Sequence, residues 1–455
     1  MTHPPHSPAR PPAPTVADGQ LDASKLWQIH GCYYDLEPFL TEHPGGRRFL
    51  EQVRGMDCTA VFESTHLHDK MPKAMLKRFY VGEVPGYAPA YTFEQDGFYL
   101  TLKRRVQAHF LADAKARGIP LAEARLAHHG TPAFIGRLAG FWAIWLALTL
   151  GALVGGYWWC ALPWGAFAFA LGGYGHEAMH AGVFKSARAN RALALLTLDM
   201  QGLSSFVFTA MHVPLHHVHT NVQGLDPDIE VHFPLVRERP EQPLYFFHRL
   251  QPIYAWILYL ITLPVLWVND IVAISIGWWF GPYGKMRRPY FEETVLFALS
   301  KVFSFSVFYA LPFLLHPWPQ ALTIVALMLG GAGLAVQGTF ALSHQNELAM
   351  NLAGRKTTQP GDWGALQVET TVDFQHGHWL PTTLLGGLGY QMEHHLFPTL
   401  SYSRLHEVAP IVRQTCAEFD VPYYYYATAW DGVRAHARFL LRMSRAEPGP
   451  QIEQN

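Results

Sequence analysis

Charge is what this chain has least of. Only 15% of its 455 residues are Asp, Glu, Lys or Arg, against about 25% in an ordinary soluble domain. The two signs nearly cancel, leaving a formal net charge of −1, so no basic surface argues for a nucleic-acid partner. Cysteine is nearly absent. Cys32, Cys58, Cys160 and Cys416 show no CxxC or paired spacing, so no disulfide framework is implied. The opening MTHPPHSPARPPAP has no apolar stretch of the signal-peptide kind. It reads as a disordered Pro-rich tail over 1–20, with the N-terminus left in the cytosol. What is abundant is apolar surface: 50% hydrophobic and 14% aromatic residues. That composition points to a membrane protein with room for two or three domains.

Histidine is the other abundance, with 25 in the chain. His176 and His180 (HEAMH) are four apart and share one helix face, the spacing of a metal-binding helix. His212, His216 and His217 (HVPLHH) repeat that spacing and add a neighbour. Asn221 and Asp226-Pro227-Asp228 follow, and His219 is a rival ligand there. Gln391-Met392-Glu393-His394-His395 comes last, behind Gly386-Gly387-Leu388-Gly389. Adjacent histidines on a helix diverge by roughly 100°, which suits ligands aimed at two different ions. Each cluster lies beside a long apolar segment. Imidazole suits Fe, Cu, Zn or Ni. A zinc ion is satisfied by four ligands, so seven histidines fit two six-coordinate irons better. Burying so many without partners would cost roughly 2–7 kcal/mol for each unsatisfied polar group. His344, where the last apolar run emerges, is a candidate further ligand. An ordinary interfacial histidine is the alternative at each position.

Residues 21–90 read as a small soluble domain. Trp27-Gln28-Ile29-His30-Gly31 and Tyr33-Tyr34-Asp35-Leu36 look like strands around a turn. His43-Pro44-Gly45-Gly46 follows, with Pro fixing the bend and the glycines permitting close backbone approach. Together with Asp57, Thr59, Phe62 and His66, this motif resembles the cytochrome b5 family. The resemblance implies a haem b held by His43 and His66 as axial ligands, with His68 the competing second ligand. Such a haem has no open position for O2 and carries electrons only. Residues 91–133 read as a linker and an amphipathic surface helix, with His128-His129 solvated.

Leu138 to Gly175 contains no Asp, Glu, Lys or Arg. It is too long for one span of about 20 residues and fits two short ones, with Tyr157, Trp158, Trp159 and Trp164 marking the turn. Lys185, Arg188 and Arg191 then carry the cytosolic sign. Residues 192–211, broken by Asp199 and Gln201, read as an interfacial helix. Runs at 252–279, 295–315 and 321–343 follow. If all three crossed, the last cluster would face the opposite side from the first two. Residues 295–315 and 321–343 make a hairpin around His316-Pro317-Trp318-Pro319, with Lys301 snorkelling or facing protein. The 252–279 run contains Pro264 and Asp270 and is flanked by Arg249, Lys285, Arg287 and Arg288, so it is expected in the interface or re-entrant. The expected fold is a mainly α multi-pass membrane protein of four spans. A cytosolic helical cap holds the histidines, a small α+β domain precedes it, and both termini are cytosolic. The main domain is expected over 134–430, and 431–455 reads as a C-terminal tail.

The boxes HX3H, HX3HH and QX2HH on such a core resemble the membrane fatty acid desaturases, with Gln367-Val368-Glu369-Thr370-Thr371 and His395-Leu396-Phe397-Pro398 in support. The fused haem domain and the Gln that opens the last box resemble the front-end subgroup. The likeness covers about 24–430. It implies a di-iron site with ligands His176, His180, His212, His216, His217, His394 and His395, His344 as a further ligand and Gln391 near the iron. It also implies an O2-dependent reaction that introduces a cis double bond into a long-chain unsaturated acyl chain, on the carboxyl side of an existing double bond. Electrons would pass from NAD(P)H through a cytochrome b5 reductase or equivalent donor to the haem, then to iron. The substrate would be a fatty acyl lipid or acyl-CoA. The membrane would be the endoplasmic reticulum in a eukaryote or the cytoplasmic membrane in a bacterium. Two departures stand out. The middle box has three intervening residues where most front-end members have two, and the first box reads HEAMH where Asp and Gly are usual. Glu393 and Asp228 are expected to orient ligands rather than to act as bases. Rival readings are a sphingoid-base desaturase or hydroxylase, a membrane-anchored haem electron carrier without catalysis, and a transporter.

Overall fold

Alternating apolar residues near the N-terminus build a small antiparallel sheet. Its strands are β1 (Trp27–Ile29), β2 (Cys32–Tyr34) and β3 (Tyr80–Glu83), in that spatial order. The turn between the first two uses His30 and Gly31 at φ 49° and 71°. Helices α1 (Arg47–Gln52), α2 (Thr59–Thr65) and α3 (Lys70–Leu76) complete the domain. Its core gathers Trp27, Ile29, Leu36, Leu40, Val53 and Phe62. Gly46 precedes α1 at φ 93°, a conformation that favours glycine. This computed structural model describes residues 22–124, 126, 128–230, 232–277, 286–350 and 361–445. The Pro-rich tail over 1–20, the end of the 252–279 run, Lys285 and residues 446–455 lie outside them.

Strand β4 (Tyr91–Thr92) and helix α4 (Phe98–Ala116) follow. β4 pairs in parallel with β5 (Gly361–Asp362). One face of α4, with Phe98, Tyr99, Leu102, Val106 and Phe110, is buried. The segment read as a linker and surface helix therefore contributes to the core. His128 corrects the solvated reading: it is 8% exposed and stacks on His129 at 4.4 Å. Phe110, which meets its ring edge-on, comes from α4 and not from the polar sequence around it.

Helix α5 (Pro132–Leu153) starts on Thr131, whose hydroxyl accepts from the Phe134 amide, with Pro132 in the first turn. Helix α6 (Trp158–Met179) returns after a short turn. Tyr157, Trp158 and Trp159 are exposed at that turn. Trp164 is not part of the belt: its indole N–H donates to Thr149 Oγ1 at 2.8 Å inside the protein. Helices α7 (Ala187–Thr197) and α8 (Ser205–Met211) belong to a pair bent by 106°. Helices α9 (Gln251–Leu260) and α10 (Thr262–Ile276) belong to another, bent by 67°. The continuous helix α11 (Phe291–Leu315) and helix α12 (Trp318–His344) then form the expected hairpin.

Among the described residues, α5, α11 and α12 are long and apolar enough to cross a membrane. The bent pairs raise the number to as many as five. Helix α6 matches α5 in length but is diluted by Gly, His176 and Glu177. It is enclosed by its neighbours: a Cβ on Gly165 would lie 2.5 Å from the Ala332 amide nitrogen, and one on Gly173 would lie 2.5 Å from Gly386 Cα. The approach at Gly165, helix backbone against helix backbone, is the small-residue packing of membrane helices. Lys301 faces protein, with its ammonium 2.6 Å from both Asp270 Oδ2 and the Gly202 carbonyl.

The C-terminal part contains α13 (Trp363–Glu369), α14 (Gln391–Leu396), α15 (Tyr402–Glu418) and α16 (Ala429–Met443). Helix α16 corrects the reading of a tail from 431. Its arginines are spaced so that Ala435, His436, Phe439, Leu440 and Met443 share a buried face. His436 joins the Gln345 carbonyl (2.6 Å) and the Tyr259 hydroxyl (2.8 Å).

Candidate metal centre and haem site

Each histidine box has its own local scaffold. His176 lies in the last turn of α6 and His180 caps it. His344 ends α12. His394 and His395 lie on α14, after Gly386 and Gly387 at φ 65° and 84°. The middle box forms a π-helical turn over His212–His216, in which the His217 amide returns to the His212 carbonyl. This wider turn keeps the outer histidines of HX3HH facing each other. His212 and His217 meet Nε2 to Nε2 at 3.0 Å. π turns of this kind recur at functional sites.

The boxes converge. One nitrogen from each of His176, His180, His212, His217 and His394 lies within 4.8 Å of the others, and His216, His344 and His395 form a second such group. His176 and His212 approach Nε2 to Nε2 at 2.8 Å. Gln391 Nε2 lies 3.1 Å from His344 Nε2 and 3.2 Å from His395 Nε2. The adjacent pairs split between the groups, with ring planes at 84° for His216 and His217 and 86° for His394 and His395. Across the divide, the rings of His217 and His395 stack at 4.4 Å. His219 belongs to neither group; its Nδ1 meets the Tyr91 hydroxyl at 2.6 Å.

A second layer fixes the tautomers. Asp226 lies 3.0 Å from His216 Nδ1, and Asp228 lies 3.0 Å from His212 Nδ1. An ionised carboxylate only accepts, so each Nδ1 carries the proton and each Nε2 presents a lone pair. Gln367 Oε1 and Thr220 Oγ1 lie 3.1 and 2.9 Å from His395 Nδ1. Asp228 thus takes the orienting role expected of it. Glu393 does not: it turns away, toward Tyr423 and a group with Asp373 and His376. Asp226, Thr220 and Gln367 had no assigned role in the sequence. An acid following a histidine box by about ten residues is the one local signal for the first of them.

Burial, reinforced by the neighbouring imidazoles, holds His180, His212, His217, His394 and His395 well below the ordinary imidazole value. Near neutral pH they are lone-pair donors. Asp226 and Asp228 raise His216 against its burial. The Nε2 atoms of His180, His216 and His394 and Oε1 of Gln391 are buried with no hydrogen-bond partner among the described residues. Orphaned acceptors in a nitrogen-rich cage fit metal ions, since an uncompensated buried polar atom is costly.

In the small domain His43 and His66 face each other, with ring centroids 6.2 Å apart. His43 Nδ1 donates to the Gly46 carbonyl (3.2 Å) and His66 Nδ1 to the Phe62 carbonyl (2.9 Å). Both Nε2 atoms are left for a ligand between them. Burial brings the His66 imidazole down to about 4 and lowers His43 in the same direction, so both are neutral donors. His68 instead neighbours His128, with ring centroids 6.4 Å apart.

A helical membrane protein with paired histidine cages and a fused bis-histidine module is, as a class, a metal-dependent oxidoreductase with its own electron-carrying domain. The "Fatty acid desaturase" family profile matches residues 156–427 and the "Cytochrome b5-like Heme/Steroid binding domain" profile matches 15–85. An acyl-lipid (8-3)-desaturase of Physcomitrium patens is 31% identical over 445 residues, covering 92% of this chain and 88% of that protein. A probable Delta(5) fatty acid desaturase C of Dictyostelium discoideum is 28% identical, covering 93% and 92%. An sn-1 linoleoyl-lipid 6-desaturase of Synechocystis sp. is 30% identical over 292 residues, 63% of this chain and 79% of that protein. The chain belongs to the fatty acid desaturase family, as a cytochrome b5-fused member of the front-end subgroup. It is an oxidoreductase of fatty acyl lipids that uses O2, and a membrane protein. Family membership implies a di-iron centre and the small domain implies haem.

Proposed function

We propose that this protein introduces a cis double bond into a long-chain unsaturated fatty acyl chain carried on a lipid, between an existing double bond and the carboxyl end. The convergence of eight imidazoles and Gln391 into two adjoining groups carries the reading. The acyl-lipid desaturase names of its relatives support the carrier. His176, His180, His212, His217 and His394 would hold one iron. His216, His344 and His395 would hold the other, beside Gln391. His43 and His66 would hold haem b. When bound, the irons supply the O2-derived oxidising power that an unactivated C–H bond requires, and the haem carries electrons singly. The protein's part is orientation and exclusion of water: Asp226, Asp228 and Gln367 aim the imidazoles, and burial keeps the cage dry.

The same grouping supports four spans, α5, α6, α11 and α12, with both bent pairs on the cytosolic side. An odd number of crossings between the second box and the last would separate histidines that meet at 4.4 Å. A flavoprotein reductase drawing on NAD(P)H would recharge the haem from that side. Position along the acyl chain must come from tunnel shape, because one buried CH2 contributes only about 0.8 kcal/mol.

Cells expressing the protein are to be fed a panel of polyunsaturated acids, with new double bonds located by mass spectrometry. The expected product carries its new bond on the carboxyl side of a pre-existing one. Products confined to sphingoid bases, or hydroxylated products, would overturn the proposal. So would purified protein whose only iron is haem.

A further inference from the structure

The stretch Glu63–Leu67, which carries His66, is held from outside its own domain. The Glu63 carbonyl accepts from Tyr99 Oη (3.2 Å) and Lys103 Nζ (2.8 Å). The Thr65 carbonyl accepts from Thr399 Oγ1 (3.3 Å), and the Leu67 carbonyl accepts from the Gln107 amide. The Glu63 carboxylate is fully buried and pairs with Lys103 at 2.7 Å, whose side chain is 2% exposed. Lys73 and His30 of its own domain also reach this carboxylate, at 3.0 and 2.8 Å, and Lys103 is the partner supplied from outside. On the other side of the haem site, Gly46, Arg48, Met179, Ala181 and Arg191 line one cavity of about 210 Å³. The His43 loop therefore lies beside the end of the helix that bears His176. A carrier that swings free between partners has no need of these contacts.

Tyr99 stands in the middle of the seam. Its hydroxyl lies between two carbonyls, Glu63 (3.2 Å) and Leu396 (3.1 Å). Glu63 lies on the helix that leads into His66, and Leu396 follows His395. The Tyr99 ring meets Trp363 edge-on at 4.8 Å and stacks on Phe397 at 6.0 Å. The Trp363 indole N–H in turn donates to the carbonyl of Val218, the residue after His217, at 3.2 Å. Tyr99 and Trp363 are fully buried. A hydrogen-bonded path therefore runs from the haem-bearing helix to the residue after His395, and a ring contact with Trp363 extends it to the residue after His217.

We infer that the haem domain works docked, and that Tyr99, with Trp363 as a second branch, bridges the haem to the iron cage. The inference rests on the reading that the haem reduces the irons. Each transfer moves one electron: the reduced haem iron is oxidised by one unit and the iron pair is reduced by one. Two transfers serve each double bond, in which two C–H bonds break and O2, two electrons and two protons complete two waters. A one-electron flavoprotein donor recharges the haem after each transfer. Tyr99 and Trp363 are positioning residues that give up neither electron nor proton.

The test uses full-length protein loaded with haem and iron. Haem is reduced in advance, and its reoxidation by O2 with acyl substrate present is followed by stopped-flow absorbance. Tyr99→Phe is expected to retain wild-type haem spectrum and iron content and to reoxidise severalfold more slowly. A small redox mediator that reaches the irons directly should restore its product formation. Glu63→Gln is measured in parallel, with limited proteolysis across 84–97 reporting undocking. It should cut faster there and transfer more slowly. Wild-type reoxidation in both variants overturns the bridge, as does slow turnover in Tyr99→Phe that the mediator fails to restore. If substrate does not speed haem reoxidation even in the wild type, it is the underlying reading that fails.

Discussion

Replacing Asp226 with Asn changes the charge and one atom of a side chain that nothing else can replace. Its carboxylate is fully buried, and both oxygens face His216 Nδ1, at 3.0 and 3.1 Å. They also accept from two backbone amides, Asn221 at 2.8 Å and Asp228 at 3.0 Å. Every partner is a donor. An amide must therefore turn its own NH2 toward one of them and leave a buried donor unsatisfied, costing about 1–3 kcal/mol. Loss of an orienting partner of this kind lowers metal affinity about 10–100-fold, which is about 1.4–2.7 kcal/mol. The loss should fall on the group of His216, His344 and His395, because the other group takes its orientation from Asp228. Non-haem iron per chain, measured after dialysis against a chelator, should drop to about half the wild-type value, with the haem spectrum unchanged and product at background. Full non-haem iron with wild-type resistance to the chelator would refute the argument.

Other substitutions test the remaining assignments. His395→Ala should abolish product while the haem stays reducible, and His43→Ala should remove the haem absorption band while non-haem iron stays bound; absorbance and metal analysis check both. His219→Ala should keep its full iron content, since its partner is Tyr91; iron loss would return it to the ligand set. Lys301→Met leaves Asp270 buried without its cation and should cost about 3–5 kcal/mol. The double variant with Asp270→Asn should regain most of that, as read by thermal unfolding in detergent. Gly165→Val forces a side chain into the α12 backbone and should destabilise by about 1–3 kcal/mol, visible in the same assay.

The sequence made the chemistry legible sooner than the packing. The histidine boxes, the HPGG loop and the break in residues 192–211 can be read locally, because spacing and breaker residues act over a few positions. Partner choice cannot. Asp226 and Asp228 stand two apart, just before and within the one-turn helix Pro227–Glu230, and only the fold decides which imidazole each reaches. Gln367 meets His395 across 28 positions. Asp270 argues locally against a crossing by residues 252–279, but its counter-ion lies on another helix, 31 residues away, beyond any local pattern. Helix α16 was missed because its arginines mask an apolar stripe of helical period.

The π turn at His212–His216 bears on how relatives are to be recognised. A helix that can widen by one residue lets a signature lengthen without moving the atoms that matter. Counting letters between histidines is then too strict a ruler. A pattern search that allows two or three residues in the middle box, and asks for an acid about ten positions downstream, would retrieve proteins that a fixed spacing discards.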